Sequence, residues 1–146
     1  MRAGMALGAA PGADSAAHER SHREALAEPA RTVVVAELDG EVVGMAHVVP
    51  SGAANAPHRA EVQRVAVAET ARGAGVGRLL MEAVEVAALE QGLTLLWLTT
   101  HERSGACAFY EAIGYRKLGV MPDYSLRPDG TVSPAAFYFK ELRRSS

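Results

Sequence analysis

The stretch ETARGAGVGRLLMEAVEVAALEQG, residues 69–92, joins a glycine-rich turn directly to an amphipathic helix. The turn is RGAGVG, residues 72–77, and its three glycines permit positive φ and a close approach of the backbone to a ligand. We predict a helix from about Val76 to Gln91, ended by Gly92, because apolar residues recur there at helical spacing: Val76, Leu79, Leu80, Ala83, Val84 and Ala87. The N–H groups that open such a helix bind anions, phosphate oxygens in particular.

Three strands are predicted before this turn. TVVVAEL (32–38) and EVVGMAHVV (41–49) flank Asp39-Gly40, a dipeptide typical of a tight hairpin. The loop PSGAANAP (50–57) follows, and RAEVQRVAVA (59–68) is the third strand. The turn therefore lies at a strand-to-helix junction, where phosphate groups commonly bind.

The elements after the helix complete a mixed sheet. LTLLWLTT (93–100) is almost continuously apolar, which predicts a central strand covered on both faces. A second helix, about Ser104 to Ala112, stops at Gly114, and the strands YRKLGV and AAFYFKEL flank a predicted loop from Met121 to Pro134. This order predicts an α/β (α+β) fold with a mixed, mostly antiparallel sheet flanked by helices.

The N-terminal segment carries weaker signals. Glycine and proline interrupt the apolar residues of the first 13 positions, so we interpret 1–13 as a mobile tail rather than a membrane span or an export signal. Residues 15–26 form a plausible short helix before Pro29. We expect one domain over residues 14–146.

Composition excludes some classes of function. The chain has 146 residues, with fifteen basic and seventeen acidic side chains and a formal charge of −2, so no large basic excess indicates nucleic acid or a membrane surface as partner. The single cysteine, Cys107, rules out an intrachain disulfide and suits a reducing compartment. We therefore expect a cytoplasmic protein.

HERSH, residues 18–22, has the spacing of the HExxH zinc-hydrolase signature. A catalytic zinc also needs a third protein ligand and a position for water, and the metzincin extension would place glycine and histidine where Ala25 and Glu28 stand. We therefore expect no metal, and a zinc hydrolase using His18, Glu19 and His22 remains the least favoured alternative.

Two motifs resemble those of one enzyme superfamily. Arg72–Gly77 resembles the (Q/R)-x-x-G-x-(G/A) signature of GNAT acetyl-CoA-dependent N-acetyltransferases, and AFYEAIGYRKLG (108–119) resembles their FYxxxGF hallmark. The likeness spans about residues 31–142. Within the superfamily, RAEVQ, FYEAIGY and PDYSLRPDG…AAFYFKEL look most like the tabtoxin-resistance type of acetyltransferase.

The resemblance implies a binding site for acetyl-CoA as cosubstrate. Pantetheine would bond to a splayed strand edge, and pyrophosphate would bind the turn, with Arg72 and Arg78 as charge partners. Residues at the start of the second helix would line the thioester end. The cofactor-binding residues implied are Val65, Ala66, Val67, Arg72, Gly73, Ala74, Gly75, Val76, Gly77, Arg78, Ser104, Ala106 and Phe109.

The resemblance also implies catalytic roles. Tyr110 matches the family tyrosine near the sulfur and would be the general acid, while a backbone N–H near Val65 would polarise the thioester carbonyl. Glu61 is the candidate base; in a regularly alternating strand it shares a face with Gln63 and Val65. Thr99 stands where the tabtoxin-resistance type has an aspartate, so either Glu61 acts without that partner or the acceptor differs.

Several alternatives stay open from the sequence. An acetyl-thioester on Cys107 would give a ping-pong route, although no base for it is evident. The family has a strand ahead of the hairpin. In this sequence that strand is absent, is formed by residues 4–10, or lies upstream of the given start. Pairing of sheet edges between subunits would compensate for a missing strand, so we expect a homodimer. The function predicted is acetyl transfer from acetyl-CoA to a primary amine of a small molecule such as an antibiotic or toxin. The alternative is a protein that binds CoA without catalysis.

Overall fold

The computed structural model describes residues 31–143 and, ahead of them, one strand at Met5–Gly8. Its elements in chain order are β1 Met5–Gly8, β2 Thr32–Leu38, β3 Glu41–Pro50, β4 Arg59–Val67, α1 Val76–Glu90, β5 Leu95–His101, α2 Ala106–Ala112, β6 Arg116–Leu126 and β7 Val132–Glu141. A short 3-10 turn, Glu69–Ala71, lies between β4 and α1. The mixed α/β architecture expected from the sequence is confirmed.

The strands form one seven-stranded sheet in the order β1-β2-β3-β4-β5-β7-β6. Among the described strands only β4 and β5 pair in parallel, and α1 makes the crossover between them. The remaining pairs are antiparallel, and β2 and β3 form the hairpin predicted at Asp39-Gly40. The sheet is thus mostly antiparallel, with its parallel pair at the centre.

The core lies between one face of this sheet and α1. The helix buries Val76, Leu80, Met81, Val84 and Ala88. Val76, Leu80 and Val84 belong to the face that the sequence predicted. Met81 and Ala88 were not predicted, whereas Leu79, Ala83 and Ala87 were predicted and are only partly buried. The sheet meets this stripe with alternate residues of its central strands, among them Val62, Leu96 and Leu98.

Two ion pairs on β7 differ in their burial. Lys140 Nζ lies 3.0 Å from Glu85 of α1 and donates to the carbonyl of Ile113 at 2.8 Å, and both charged side chains are largely shielded. Arg116 Nη2 lies 3.2 Å from Glu141, where both side chains are more than half exposed. Only the first pair ties the sheet to a helix, so only that pair is expected to matter for stability.

Two predictions concerned the N-terminal segment: a mobile tail at 1–13 and a short helix at 15–26. The structure corrects part of the first and does not describe the residues of the second. Met5–Gly8 form β1 and pair antiparallel with residues 35–38 of β2, so the interpretation of this part of 1–13 as a tail was wrong. Of the three possibilities for a first strand, the structure favours the one placed at residues 4–10, of which it describes Met5–Gly8 as the strand. The helix expected at 15–26 lies outside the described residues.

Two further predictions were wrong in part. The loop expected from Met121 to Pro134 is much shorter, because β6 continues to Leu126 and β7 begins at Val132. The pairing of β6 with β7 is irregular between Met121 and Ser125, and Pro122 lies in this irregular part of the strand.

The central position of β5 is confirmed, but its burial alternates instead of being complete. In the described part of the chain Leu96 and Leu98 are buried, while Leu95 and Trp97 are only half-buried. Trp97 stacks on Phe137 with ring centroids 5.8 Å apart, and Tyr124 meets Phe137 edge-on at 5.4 Å. This second face of the sheet is therefore aromatic. Within the described ranges, neither helix is long and apolar enough to cross a membrane.

Candidate active site

A gap opens between β4 and β5 at the centre of the sheet. Their parallel ladder pairs residues 59–61 with residues 95–97 and goes no further, although β4 continues to Val67 and β5 to His101. Beyond Glu61 the two strands diverge. The edge of β4 that faces β5 therefore presents backbone groups from about Arg64 to Val67 to the gap, as expected for a segment that hydrogen-bonds an extended amide-rich ligand.

A β-bulge in β4 sets the direction of the side chains beside this gap. Arg64 has φ of 55°, and the register against β3 shifts by one residue between Gln63 and Ala66. Before the bulge Val62 packs in the core; after it Val65 and Val67 do. The expectation that Val65 shares a face with Glu61 and Gln63 was therefore wrong, because the extra residue reverses the alternation.

The glycine-rich turn adopts the backbone that its sequence predicted. Gly73 and Gly75 have φ of 86° and 81°, and Gly75 is the N-cap of α1. A Cβ at either glycine would meet nothing within 4 Å, so space above the turn is open. The N–H groups of the first turn of α1 have no intrahelical acceptor, and these groups with the positive end of the helix dipole suit a phosphate group.

The two arginines of the turn face different surroundings. Arg72 Nε donates to the carbonyl oxygen of Val67 at 3.2 Å, which fastens the turn to the end of β4. Arg78 instead lines a cavity beside Glu82, Glu85 and Lys140. Arg72 is thus next to the expected cofactor edge, whereas the side chain of Arg78 is directed towards the α1–β7 side.

Gly77 brings the two sequence hallmarks into contact. A Cβ built on Gly77 would lie 3.3 Å from Cζ of Phe109 and 3.8 Å from a methyl group of Val67. The aromatic ring of α2 therefore packs against the first turn of α1, next to the end of β4. Val76 is buried and contacts Gly44, so only the backbone of Val76 is available to a ligand, and Ala74 is exposed. Ala66, also exposed, pairs with Met45 of β3.

Glu61 and Tyr110 line one cavity of about 340 Å³ at the opening between the strands. Its walls include Gln63 and Val65 from β4, Thr99 from β5, and Ala106 from α2. Five of the predicted or discussed site residues therefore meet at one place: Glu61, Val65, Thr99, Ala106 and Tyr110. Ser104 is not among the lining residues; its hydroxyl donates to the carbonyl of His101 at 3.0 Å.

Tyr110 is buried among other aromatic rings. Phe109 and Tyr115 meet it edge-on, with centroids 5.2 and 5.7 Å away. Burial raises the pKa of the Tyr110 phenol from 10.0 to about 12, because the phenolate would be poorly solvated there. The hydroxyl therefore stays protonated at neutral pH and is able to donate a proton to a thiolate.

Glu61 is held by a polar network that the sequence did not reveal. Gln63 Nε2 donates to Glu61 Oε1 at 2.9 Å, and Arg31 Nη1 donates to Gln63 Oε1 at 3.2 Å. His47, fully buried on β3, lies beside the same guanidinium, with Nδ1 3.3 Å from Arg31 Nη1. The available signal was a lone histidine in the apolar strand EVVGMAHVV, opposite a polar residue of the next strand.

Cys107 has the contacts of a thiol that donates hydrogen bonds. Its Sγ lies 3.3 Å from the carbonyl oxygen of His101 and 3.4 Å from that of Glu102. These contacts give no support to a covalent role. Among the described residues no group of three or more His, Cys, Asp and Glu side chains could hold a metal ion, and HERSH lies outside them.

Comparison with known proteins identifies the fold family. The model of the Acetyltransferase (GNAT) family matches residues 6–115, which is most of the chain. The chain belongs to the GNAT family of acetyltransferases.

Three individual proteins illustrate how much of the chain has known relatives. N-acetylaspartate synthetase of Danio rerio is 32% identical over 112 residues, 76% of this chain but only 38% of that protein, so the chain spans about two fifths of this curated relative. Ribosomal-protein-alanine N-acetyltransferase from Brucella melitensis superposes with a TM-score of 0.74 at 27% identity, covering 86% of this chain and 78% of that one. The protein yncA from Salmonella typhimurium, solved with its cofactor acetyl-CoA, gives 0.75 at 19% identity and covers 99% and 97% of the two chains.

Proposed function

We propose that this GNAT protein transfers the acetyl group of acetyl-CoA to a primary amine of a small molecule, by direct attack in a ternary complex. The observation that carries the proposal is the cavity between β4 and β5, which places Glu61 and Tyr110 on the walls of one opening. A base and an acid at one site are what transfer from a thioester to an amine needs.

The cosubstrate fits the residues at this site. The space beside Gly73 and Gly75 is open, and the first N–H groups of α1 lack intrahelical acceptors, so this turn offers donors for pyrophosphate. The diverging edge of β4 offers amide groups for pantetheine. Arg72 supplies positive charge beside that edge. Phe109, packed against Gly77, forms the wall that directs the chain of the cosubstrate into the gap.

Each reacting group then has a residue to act on it. Glu61 accepts the proton that the amine loses, directly or through water, as the nitrogen forms its bond to the thioester carbon. The N–H near Val65 stabilises the negative charge that develops on the carbonyl oxygen. When the carbon–sulfur bond breaks, the electron pair leaves with sulfur and Tyr110 donates its proton to the thiolate.

The acceptor we propose is a small amine, such as an antibiotic or a toxin of the tabtoxin class. Sequence likeness in RAEVQ, FYEAIGY and the C-terminal strands supports this choice. Thr99, which lines the cavity but has no acid–base group, favours the second candidate, a GNAT protein that binds CoA without catalysis. We further propose a cytoplasmic protein that binds neither nucleic acid nor membranes. A homodimer stays part of the proposal, although β1 supplies the strand whose absence first suggested it.

The first experiment is thermal unfolding of the purified chain with acetyl-CoA, with CoA and with zinc. A ligand at about a hundred times its dissociation constant adds roughly 2.7 kcal/mol of stability. We expect both CoA species, and not zinc, to raise the melting temperature. A response to zinc alone would favour a hydrolase at HERSH instead. Binding of acetyl-CoA with no transfer to any amine of a broad panel would support the non-catalytic candidate.

A further inference from the structure

A chain of three polar side chains runs behind the candidate base, from the start of β2 to the cavity wall. Arg31 Nη1 donates to Gln63 Oε1 at 3.2 Å, and Gln63 Nε2 donates to Glu61 Oε1 at 2.9 Å. All three side chains are partly buried, and Glu61 and Gln63 both line the cavity that also contains Tyr110. The last link of the chain therefore ends at the carboxylate assigned to proton removal.

Donor and acceptor chemistry fixes the direction of this chain. A guanidinium has only donors, so the Gln63 atom that faces Arg31 must be the amide oxygen. The amide nitrogen then has to face Glu61, where a carboxylate oxygen is a good acceptor. The carboxylate repels an amide oxygen, so Glu61 and Arg31 favour the same orientation of Gln63. Without Arg31 the amide loses the contact at its oxygen and can swing away from Glu61. Arg31 thus holds Gln63 in the orientation in which Gln63 donates to Glu61.

The neighbouring strand β3 and the bulge in β4 fix the position of Gln63 in this series of hydrogen bonds. Gln63 is the register partner of His47 on β3, and the imidazole of His47 is fully buried beside the Arg31 guanidinium. The β-bulge at Arg64 follows directly, so Gln63 is the last residue of β4 that keeps the alternation of Glu61. Gln63 is therefore fixed from its neighbouring strand while its amide reaches along β4 to the base.

We propose that Gln63 is a positioning residue that orients the Glu61 carboxylate towards the acceptor amine, and that Arg31 sets the orientation of Gln63. The inference rests on the proposed acetyl transfer and assigns how its base is held. Neither residue needs to touch substrate for this role. Its signature is that Gln63 affects the rate only when Glu61 is present.

A double-mutant cycle tests this dependence. Wild type, Gln63→Met, Glu61→Gln and the double variant are assayed with spermidine, L-phenylalanine methyl ester and a peptide with N-terminal alanine, by the release of free CoA thiol. Loss of a hydrogen bond to a charged group predicts about a tenfold to hundredfold lower kcat for Gln63→Met, with KM for acetyl-CoA changed less than about twofold. In the Glu61→Gln variant, adding Gln63→Met should lower kcat by less than about twofold.

Two arginine variants provide an independent readout. Arg31→Met should lower kcat as Gln63→Met does, while Arg31→Lys, which also has only donors, should restore most of the rate. Gln91→Met is the matched control, because Gln91 bonds Thr32 at 2.9 Å outside the cavity, and its kcat should equal that of wild type. Unfolding curves for every variant separate a folding defect from a defect in positioning.

The outcomes distinguish this inference from the function on which it rests. Acetylation by wild type with equal losses from Gln63→Met in both backgrounds would overturn the positioning role and leave acetyl transfer intact. A wild-type kcat for Arg31→Met would show that Arg31 does not set the orientation of Gln63. Binding of acetyl-CoA by wild type with no acetylation of any of the three amines would overturn both the proposed function and the inference.

Discussion

Replacement of Gly75 by alanine tests the backbone on which the pyrophosphate site depends. Gly75 is the N-cap of α1, with φ of 81° and ψ of 7°, and a Cβ there meets no atom within 4 Å. The substitution therefore causes no collision, and its cost is that of holding an L-residue in the left-handed region, about 1–2 kcal/mol. For a domain of this size that lowers the melting temperature by roughly 3–7 °C.

Gly105 provides the matched control for this experiment. It is the N-cap of α2, a Cβ there also meets nothing within 4 Å, but its φ of −63° is right-handed. Gly105→Ala should therefore stabilise the protein by about 0.4–1 kcal/mol through the unfolded chain. Thermal unfolding followed by circular dichroism compares the two variants. Equal shifts in melting temperature, or no loss for Gly75→Ala, would refute the left-handed conformation assigned to the turn.

The other predictions concern the acid, the buried ion pair and the tyrosines. Tyr110→Phe should lower kcat at least tenfold with little change in the affinity for acetyl-CoA, and an unchanged kcat would remove Tyr110 from the chemistry. Because the pKa of the Tyr110 phenol is raised to about 12, ionisation of Tyr110 should not lower the wild-type rate below pH 11. Lys140→Met should lower the free energy of unfolding, measured in urea, by about 2 kcal/mol, because it leaves the shielded Glu85 carboxylate unpaired. Arg116→Met should lower it by less than about 0.5 kcal/mol, because that pair is exposed. Similar losses for the two variants would contradict the difference in burial. Burial raises the pKa of the Tyr110 and Tyr115 phenols, and the hydrogen bond that Tyr138 donates to Glu111 raises the pKa of the Tyr138 phenol. The unfolded state therefore loses these protons first, and the free energy of unfolding should fall as pH rises above 10, by up to about 1.4 kcal/mol per pH unit for each tyrosine. A constant free energy of unfolding between pH 9 and 11 would show that the three phenols ionise normally.

The sequence predicted the elements whose local signals agree with their tertiary surroundings. The period of α1 and the Asp39-Gly40 hairpin could be assigned correctly because helical spacing and turn chemistry are properties of neighbouring residues. The glycines at 73 and 75 were likewise expected to permit positive φ, which both adopt. Grouping of Glu61 and Tyr110 came from the resemblance, since 49 positions separate them in the chain.

The misses share a physical cause, which is that pairing between distant strands overrides local pattern. The bulge at Arg64 reverses the alternation of β4, and no feature of RAEVQRVAVA marks the position of the extra residue. Pro122 suggested a loop, yet β6 accommodates it at an irregularity of an edge strand. Met5–Gly8 have little strand character of their own and depend on the edge of β2 for their conformation.

Trp97 gives the protein a built-in optical reporter. It is the only tryptophan of the chain, it is the register partner of Glu61 across the β4–β5 ladder, and its ring is half-buried against Phe137. Indole emission depends on the polarity and quenching groups around the ring. An amine that reaches Glu61 therefore approaches the one fluorophore that dominates the emission spectrum, so acceptors can be ranked by titration without labels and without turnover.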